Sequence, residues 1–145
     1  MDNVIDTIFI RKEVINISRI LVNVDYDGVV IPNKLEEVYR KTTINKYIKI
    51  TLKTEMMINK ELLRFFARNQ DRYTFRLWTN RNSDLYKVTI NSLGNFKVVF
   101  DSFHFYAGEK GRSRVEGIVI DNDNKYLHCG ELGGILYQFK GNKEM

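Results

Sequence analysis

The chain has 145 residues, a formal net charge of +5 at pH 7 and a single cysteine. This length predicts one domain over residues 1–145 with a substantial core, and the moderate positive charge favours an anionic partner. One cysteine excludes an internal disulfide and fits a reducing compartment, and no apolar run is long enough to span a bilayer. Because no secretory signal is recognisable either, we expect a cytoplasmic protein without a membrane partner.

The N-terminal part of the chain contains one clear strand. Residues 4–17 are apolar but fit either a strand or a helix. The apolar run Ile20–Val24 predicts a buried strand. Residues 29–31, together with the alternating residues 47–53, predict a small β-flap after this strand, and Pro32-Asn33 marks its turn.

Two helices are predicted from apolar residues at helical spacing. The first extends to about Gln70 and buries a face formed by Ile58, Leu62, Phe65 and Phe66. The second begins at the N-cap Ser83 and ends at Gly94-Asn95, and its apolar face is formed by Tyr86, Ile90 and Leu93.

Four further apolar stretches predict buried strands: residues 73–78, 97–100, 117–120 and 135–139. Strands that alternate with helices predict an α/β domain with a largely parallel sheet and helices on both faces. Ligands bind such sheets beyond the carboxyl ends of the strands.

Two acidic residues follow the first strand. In extended geometry, residues two apart point to the same side, so Asp25 and Asp27 would enter one cleft together. Gly28 then lets the backbone turn sharply or approach a ligand closely. Taken alone, the same residues also fit a plain Asp-Gly turn after a strand.

Three later segments carry further candidate site residues: a threonine, a lysine and an aspartate. Thr79 follows the second core strand, and Asp121 follows residues 117–120. Lys110 lies between them, in the segment Gly108-Glu109-Lys110-Gly111. All of the strand-borne residues therefore lie at carboxyl ends, where a ligand is expected.

This ordered set, strand–DxDG, strand–Thr, Lys, strand–DxD, resembles the haloacid dehalogenase-like (HAD) superfamily over residues 20–124. The resemblance implies a Rossmann-like three-layer domain, with the first-motif strand between the Thr strand and the last-motif strand. It also implies a Mg²⁺-dependent phosphatase that acts through an aspartyl-phosphate.

The resemblance implies a role for each motif residue. Asp25 would be the nucleophile and a metal ligand, and Asp27 the general acid, with its backbone carbonyl also on the metal. Thr79 would bond the phosphoryl oxygens, Lys110 would neutralise charge between the phosphate and Asp25, and Asp121 would complete the metal site. These residue types suit phosphoryl transfer, since a carboxylate can attack phosphorus and Mg²⁺ prefers oxygen ligands.

Further residues around these motifs are candidates for the same site. We expect substrate contacts from Gly28, Asn80, Arg81 and Arg112. Asn122 stands where many members of the family have a second acid, and it would coordinate Mg²⁺ directly or through water. Whether Asp123 replaces that acid is left open.

The intervals between the motifs leave no room for a large cap domain. An open site suits a bulky phosphorylated substrate, such as a nucleic-acid end or a phosphoprotein, or needs an oligomer to close it. The alternative function is a phosphate- or nucleotide-binding regulatory domain with little turnover. A noncatalytic nucleic-acid-binding module would need a dense basic and aromatic surface, which the sequence does not contain. We expect His128-Cys129 to be a partly buried loop pair and not a zinc site.

Overall fold

The computed structural model describes residues 19–32 and 57–141. The predictions for residues 4–17 and 47–53 lie outside the described residues. Within the described part, five strands form one parallel sheet in the order β3-β2-β1-β4-β5. The strands are β1 Ile20–Val24, β2 Tyr73–Thr79, β3 Phe100–Phe105, β4 Ile118–Asp121 and β5 Gly134–Leu136.

Helical segments connect these strands. The α-helices of the described residues are α1 Lys60–Ala67 and α2 Tyr86–Leu93, and the 3₁₀ helices are Ser83–Leu85, Gly94–Val99, Lys110–Arg112 and Asn124–Cys129. A parallel sheet with intervening helices confirms the predicted α/β class. The strand with the first acidic motif is central and lies between β2 and β4, as the resemblance implied. No helix in the described part of the chain is both long and apolar enough to cross a membrane.

Two apolar clusters cover the two faces of the sheet. Leu77 belongs to the larger cluster, and its neighbour Trp78 belongs to the smaller one. Successive strand residues face opposite sides, so the two clusters lie on opposite faces. α1 and α2 contribute Leu63, Phe66 and Leu93 to the larger cluster, whereas the 3₁₀ helix Asn124–Cys129 contributes Cys129 to the smaller one.

The first helix is shorter than its apolar pattern predicted. It begins after Asn59, whose side chain accepts a hydrogen bond from the Leu62 amide at 3.2 Å, and it ends at Ala67. Ile58 is buried but precedes the helix, and Phe65 is 52% exposed, so the prediction that both belong to one buried helical face was wrong. Leu63 and Phe66 form that face instead.

The second helix differs from its prediction in the residue that caps it and in the residues that it buries. Asn82, not Ser83, provides the N-cap, since its side chain accepts a hydrogen bond from the Asp84 amide at 3.1 Å and starts the 3₁₀ helix that leads into α2. Tyr86 is 47% exposed and packs edge-on against Phe103 and Phe105 of β3. The predicted stop at Gly94 is confirmed, and this residue adopts a φ of 58°.

Two of the strands predicted for the sheet differ from the structure. Residues 97–99 continue the 3₁₀ helix Gly94–Val99, so the chain enters the sheet only at Phe100. The last strand is Gly134–Leu136, which ends before the predicted residues 135–139 do, and it forms an exposed sheet edge.

Residues 29–31 form a buried turn and not the first strand of a flap. The amides of Val30 and Ile31 donate to the Tyr26 carbonyl at 2.9 and 3.2 Å. A single bridge joins Asp27 to Ile31.

Candidate active site

The carboxyl ends of three neighbouring strands meet at one edge of the sheet. Asp25 follows β1, Thr79 ends β2 and Asp121 ends β4. β1 pairs with both neighbouring strands, and Val24 lies opposite Leu77 on one side and Ile120 on the other. The carboxyl ends of the three strands therefore lie side by side. The side chains of Asp25, Thr79 and Asp121 are all buried. The fold thus brings together the three strand-borne residues that the sequence singled out.

Lys110 joins two of these residues. Its Nζ donates to Asp25 Oδ1 at 2.7 Å, to Asp121 Oδ2 at 2.8 Å and to the Trp78 carbonyl at 3.3 Å. Lys110 is only 3% exposed, and a buried ammonium is tolerated where opposite charges and hydrogen-bond acceptors surround it. Of the basic residues near the last motif, Lys110 is therefore the one that reaches the carboxylates.

Lys110, Asp25 and Asp121 form an acid–lysine cluster, in which one ammonium lies between two carboxyl groups. Burial raises the pKa of Asp25 well above its usual value; the Lys110 charge opposes this, and the Asp121 charge adds to it. Burial alone would lower the pKa of Lys110, but the charges and hydrogen bonds of Asp25 and Asp121 together raise it. Among the described residues, one ammonium thus contacts two carboxyl groups.

Asn80 and Tyr126 hold Lys110 in place. Asn80 Oδ1 accepts a hydrogen bond from the Lys110 amide at 2.9 Å, and Asn80 Nδ2 donates to the Tyr126 hydroxyl at 2.8 Å. The Lys110 Nζ lies 4.5 Å from the Trp78 ring centroid and 4.8 Å from that of Tyr126. Asn80 was predicted to contact substrate; in the structure its side chain supports the Lys110 segment.

Asp27 has a separate cationic partner. Its carboxylate accepts two hydrogen bonds from Arg81, from Nε and Nη2, each at 3.0 Å. Arg81 Nη1 donates to Thr89 Oγ1 at 2.8 Å, and the guanidinium carbon lies 4.4 Å from the centroid of the Tyr26 ring. Arg81 was predicted to contact substrate, and sequence reasoning missed its pairing with Asp27.

Gly28 and Asn122 pack against each other beside these groups. Gly28 has a φ of +95°, and a Cβ at this position would lie 2.4 Å from the Asn122 Cγ. The glycine therefore permits a close approach, as predicted, and the group that approaches is the Asn122 side chain. Asn122 Nδ2 also donates to Gln138 Oε1 at 3.4 Å.

Asp123 has a structural role at the surface. Its carboxylate accepts a hydrogen bond from the Lys125 amide at 3.1 Å and caps the 3₁₀ helix Asn124–Cys129. The Asp123 amide donates to Asp121 Oδ1 at 2.9 Å, so this residue contributes its backbone and not its carboxylate to the acid–lysine cluster.

Two other candidates lie apart from the acid–lysine cluster. Arg112 is exposed, and its guanidinium lies 3.6 Å from the Glu109 carboxylate, also at the surface. His128 is exposed and Cys129 is buried, as expected for a partly buried pair, but both lie in the 3₁₀ helix Asn124–Cys129 and not in a loop. Within residues 19–32 and 57–141, no group of three or more His, Cys, Asp and Glu side chains could hold a metal ion.

The oxygen donors nevertheless suit Mg²⁺, which needs only one or two protein carboxylates because it retains several waters. Asp25 and Asp121 each place an oxygen within hydrogen-bonding distance of the same nitrogen, so their carboxylates are close neighbours. The backbone carbonyl of Asp27 and the side-chain carbonyl of Asn122 are further oxygens of the kind that Mg²⁺ accepts.

Comparisons with protein-family models, curated proteins and solved structures find no significant match to this chain.

Proposed function

We propose that this protein is a Mg²⁺-dependent phosphomonoester hydrolase that acts through an aspartyl-phosphate on Asp25. The observation that carries the proposal is the buried contact of Lys110 with both Asp25 and Asp121 at the carboxyl edge of the sheet. Phosphoryl transfer requires a nucleophile and preorganised positive charge, which Asp25 and Lys110 would supply. Thr79, at the end of the adjacent strand, supplies a hydroxyl for a phosphoryl oxygen.

Two steps describe the reaction. An oxygen of Asp25 attacks phosphorus, the bond to the leaving oxygen breaks, and the Asp27 carboxyl gives its proton to that oxygen. Asp27 then takes a proton from water as the water oxygen attacks the aspartyl-phosphate, which releases phosphate and restores Asp25. Lys110 offsets the negative charge that Asp25 and the phosphoryl group bring together.

Asp25 and Asp121 would hold Mg²⁺, together with the Asp27 backbone carbonyl and the Asn122 side chain. When bound, the ion supplies positive charge to the phosphoryl oxygens. The substrate class is a phosphate monoester, and a nucleic-acid end is the bulky candidate that the basic net charge favours.

The test is a phosphatase assay with nucleotides, sugar phosphates, phosphopeptides and phosphorylated oligonucleotide ends, each with and without Mg²⁺. We expect Mg²⁺-dependent release of phosphate from at least one class. Asp25→Asn keeps the size of the side chain and should lower kcat by at least about 10³-fold, because it removes the nucleophile. Asp101→Asn, at an exposed position of β3, is the matched control.

The alternative, a regulatory domain that binds phosphate or a nucleotide with little turnover, is favoured by Asn122, which adds no charge where a second acid would. Binding of a phosphate ester to the wild type without release of phosphate on any substrate would support that alternative. An Asp25→Asn protein with turnover within a few-fold of wild type would contradict the mechanism.

A further inference from the structure

The ion pair of Arg81 with Asp27 is bidentate and largely buried. Two guanidinium nitrogens donate to the two oxygens of one carboxylate, each at 3.0 Å. The Arg81 side chain is 3% exposed and that of Asp27 is 15% exposed. A bidentate arginine–carboxylate pair fixes the plane of the carboxylate as well as its position.

Arg81 is in turn anchored by the protein. Its third nitrogen, Nη1, donates to Thr89 Oγ1 at 2.8 Å, and that hydroxyl donates to the Leu85 carbonyl at 2.7 Å. The guanidinium stacks over Tyr26, whose hydroxyl is hydrogen-bonded to Ser92 Oγ. All three guanidinium nitrogens therefore have protein partners. This arrangement is expected of a residue that holds Asp27 in place, and not of one that binds phosphate.

We infer that Arg81 is a positioning residue that holds the Asp27 carboxyl group for proton transfer to the leaving oxygen and from the attacking water. The inference rests on the proposed function and deepens it. When Asp27 carries the proton, one oxygen holds that proton and the other still accepts from Arg81. After the proton has passed to the leaving oxygen, both oxygens accept from Arg81, as in the structure. The same guanidinium thus orients Asp27 in both steps.

This role predicts a dependence on the leaving group. A phosphate ester with a poor leaving group, such as an alkyl phosphate, needs the proton from Asp27 as its bond to phosphorus breaks. An ester with a good leaving group, such as 4-nitrophenyl phosphate, needs it much less. A positioned general acid contributes roughly 10²–10⁴-fold to a rate, so a misaligned one should slow mainly the first kind of substrate.

The experiment compares Arg81→Lys with wild type on 4-nitrophenyl, phenyl and alkyl phosphates. Lysine keeps the charge but cannot make the two parallel hydrogen bonds. We expect kcat/KM, which reports only the steps up to release of the leaving group, to fall at least about tenfold further for the alkyl phosphate than for the nitrophenyl ester, with the affinity for inorganic phosphate changed less than about threefold. Thr89→Val removes the anchor on Nη1 at nearly constant volume and should give a smaller change of the same kind. Arg64→Lys, on the exposed face of α1, is the control.

Binding of inorganic phosphate to each variant is measured alongside by calorimetry. Equal losses on all three esters with a raised KM and weaker phosphate binding would show that Arg81 binds the phosphoryl group, and would overturn the inference while leaving the phosphatase proposal intact. A wild type without turnover on any ester would overturn both. If Arg81→Lys is unfolded by thermal melting, Thr89→Val alone decides, and an unchanged leaving-group dependence in that variant counts against the inference.

Discussion

The two acidic residues of the first motif lie one residue apart and have different electrostatic surroundings. Asp25 shares the ammonium of Lys110 with Asp121, so two acids depend on one cation. Asp27 has the guanidinium of Arg81 as a bidentate partner. Among the described residues, two carboxyl groups therefore share one ammonium, whereas Asp27 has a bidentate guanidinium partner.

Under the proposed function, this difference would separate two tasks within one site. Asp25 and Asp121 would hold the metal ion, and Lys110 would share its ammonium with the phosphoryl group. The bidentate pair with Arg81 would orient Asp27, the group proposed to give and take a proton. The chain turns directly after the two acidic residues of the first motif, because the Val30 and Ile31 amides bond to the Tyr26 carbonyl, and the Asp27 charge still helps to raise the pKa of Asp25.

Removal of the shared ammonium is the largest expected disturbance. Lys110→Met leaves Asp25 and Asp121 buried side by side without their cation. Breaking a buried pair in this way costs about 3–5 kcal/mol, and the loss of charge stabilisation should lower kcat by about 10²-fold or more. The measurements are denaturant unfolding at pH 7 and turnover of 4-nitrophenyl phosphate.

Lys125→Met is the matched control for this variant. Lys125 lies 5.1 Å from the same Tyr126 ring, but its side chain is 68% exposed and its contact with Asp123 is long, at 3.8 Å. Exposed pairs of this kind contribute about 0–1 kcal/mol. Equal losses of stability in the two variants would mean that the acid–lysine cluster does not depend on Lys110.

The metal site proposed at Asp25 and Asp121 is tested by the response of stability to Mg²⁺. Mg²⁺ at 100 times its Kd should stabilise the wild type by about 2.7 kcal/mol, because it binds the folded chain alone. Asp121→Ala should lose most of that gain, while Asp25 and Lys110 remain as a balanced pair. The measurement is the melting temperature across a Mg²⁺ titration.

Asp123→Ala is the control for the metal response, since its carboxylate caps a 3₁₀ helix and does not join the cluster. It should melt at a lower temperature but keep the Mg²⁺ response. A Mg²⁺ response of the same size in Asp121→Ala and wild type would exclude Asp121 as a ligand.

The sequence predicted the centre of the sheet well and its periphery poorly. Ile20–Val24 is observed with the predicted bounds because a short apolar run that ends at polar motif residues is typical of a buried strand. Residues 97–99 were assigned to a strand because a run of so few residues fits a strand and a 3₁₀ helix equally well. Asn82 and Ser83 are both good capping residues, and only the geometry of the chain selects Asn82.

The same limit applies to the site. The positions of Asp25, Thr79 and Asp121 follow from strand ends, which hydrophobic patterns reveal. The pairing of Arg81 with Asp27 spans 54 positions in the sequence and depends on where α2 places Thr89, which no local pattern reports. Asn80 likewise accepts a hydrogen bond from the Lys110 amide, which lies 30 residues further along the chain.

The smallest effect is expected outside both the acid–lysine cluster and the Asp27–Arg81 pair. Arg112 and Arg114 are exposed, and the Arg112 guanidinium lies 3.6 Å from the carboxylate of the exposed Glu109. If a nucleic-acid end is the substrate, these side chains would contact backbone phosphates away from the reacting group, and each contact adds about one unit to the slope of log(kcat/KM) against log[salt]. Arg112→Glu with Arg114→Glu should therefore flatten that slope for a phosphorylated oligonucleotide by about 2 and leave 4-nitrophenyl phosphate hydrolysis unchanged. Equal salt slopes for the two substrates in the wild type would instead identify a small-molecule phosphatase, because a small ester makes no backbone contacts from which counterions are released.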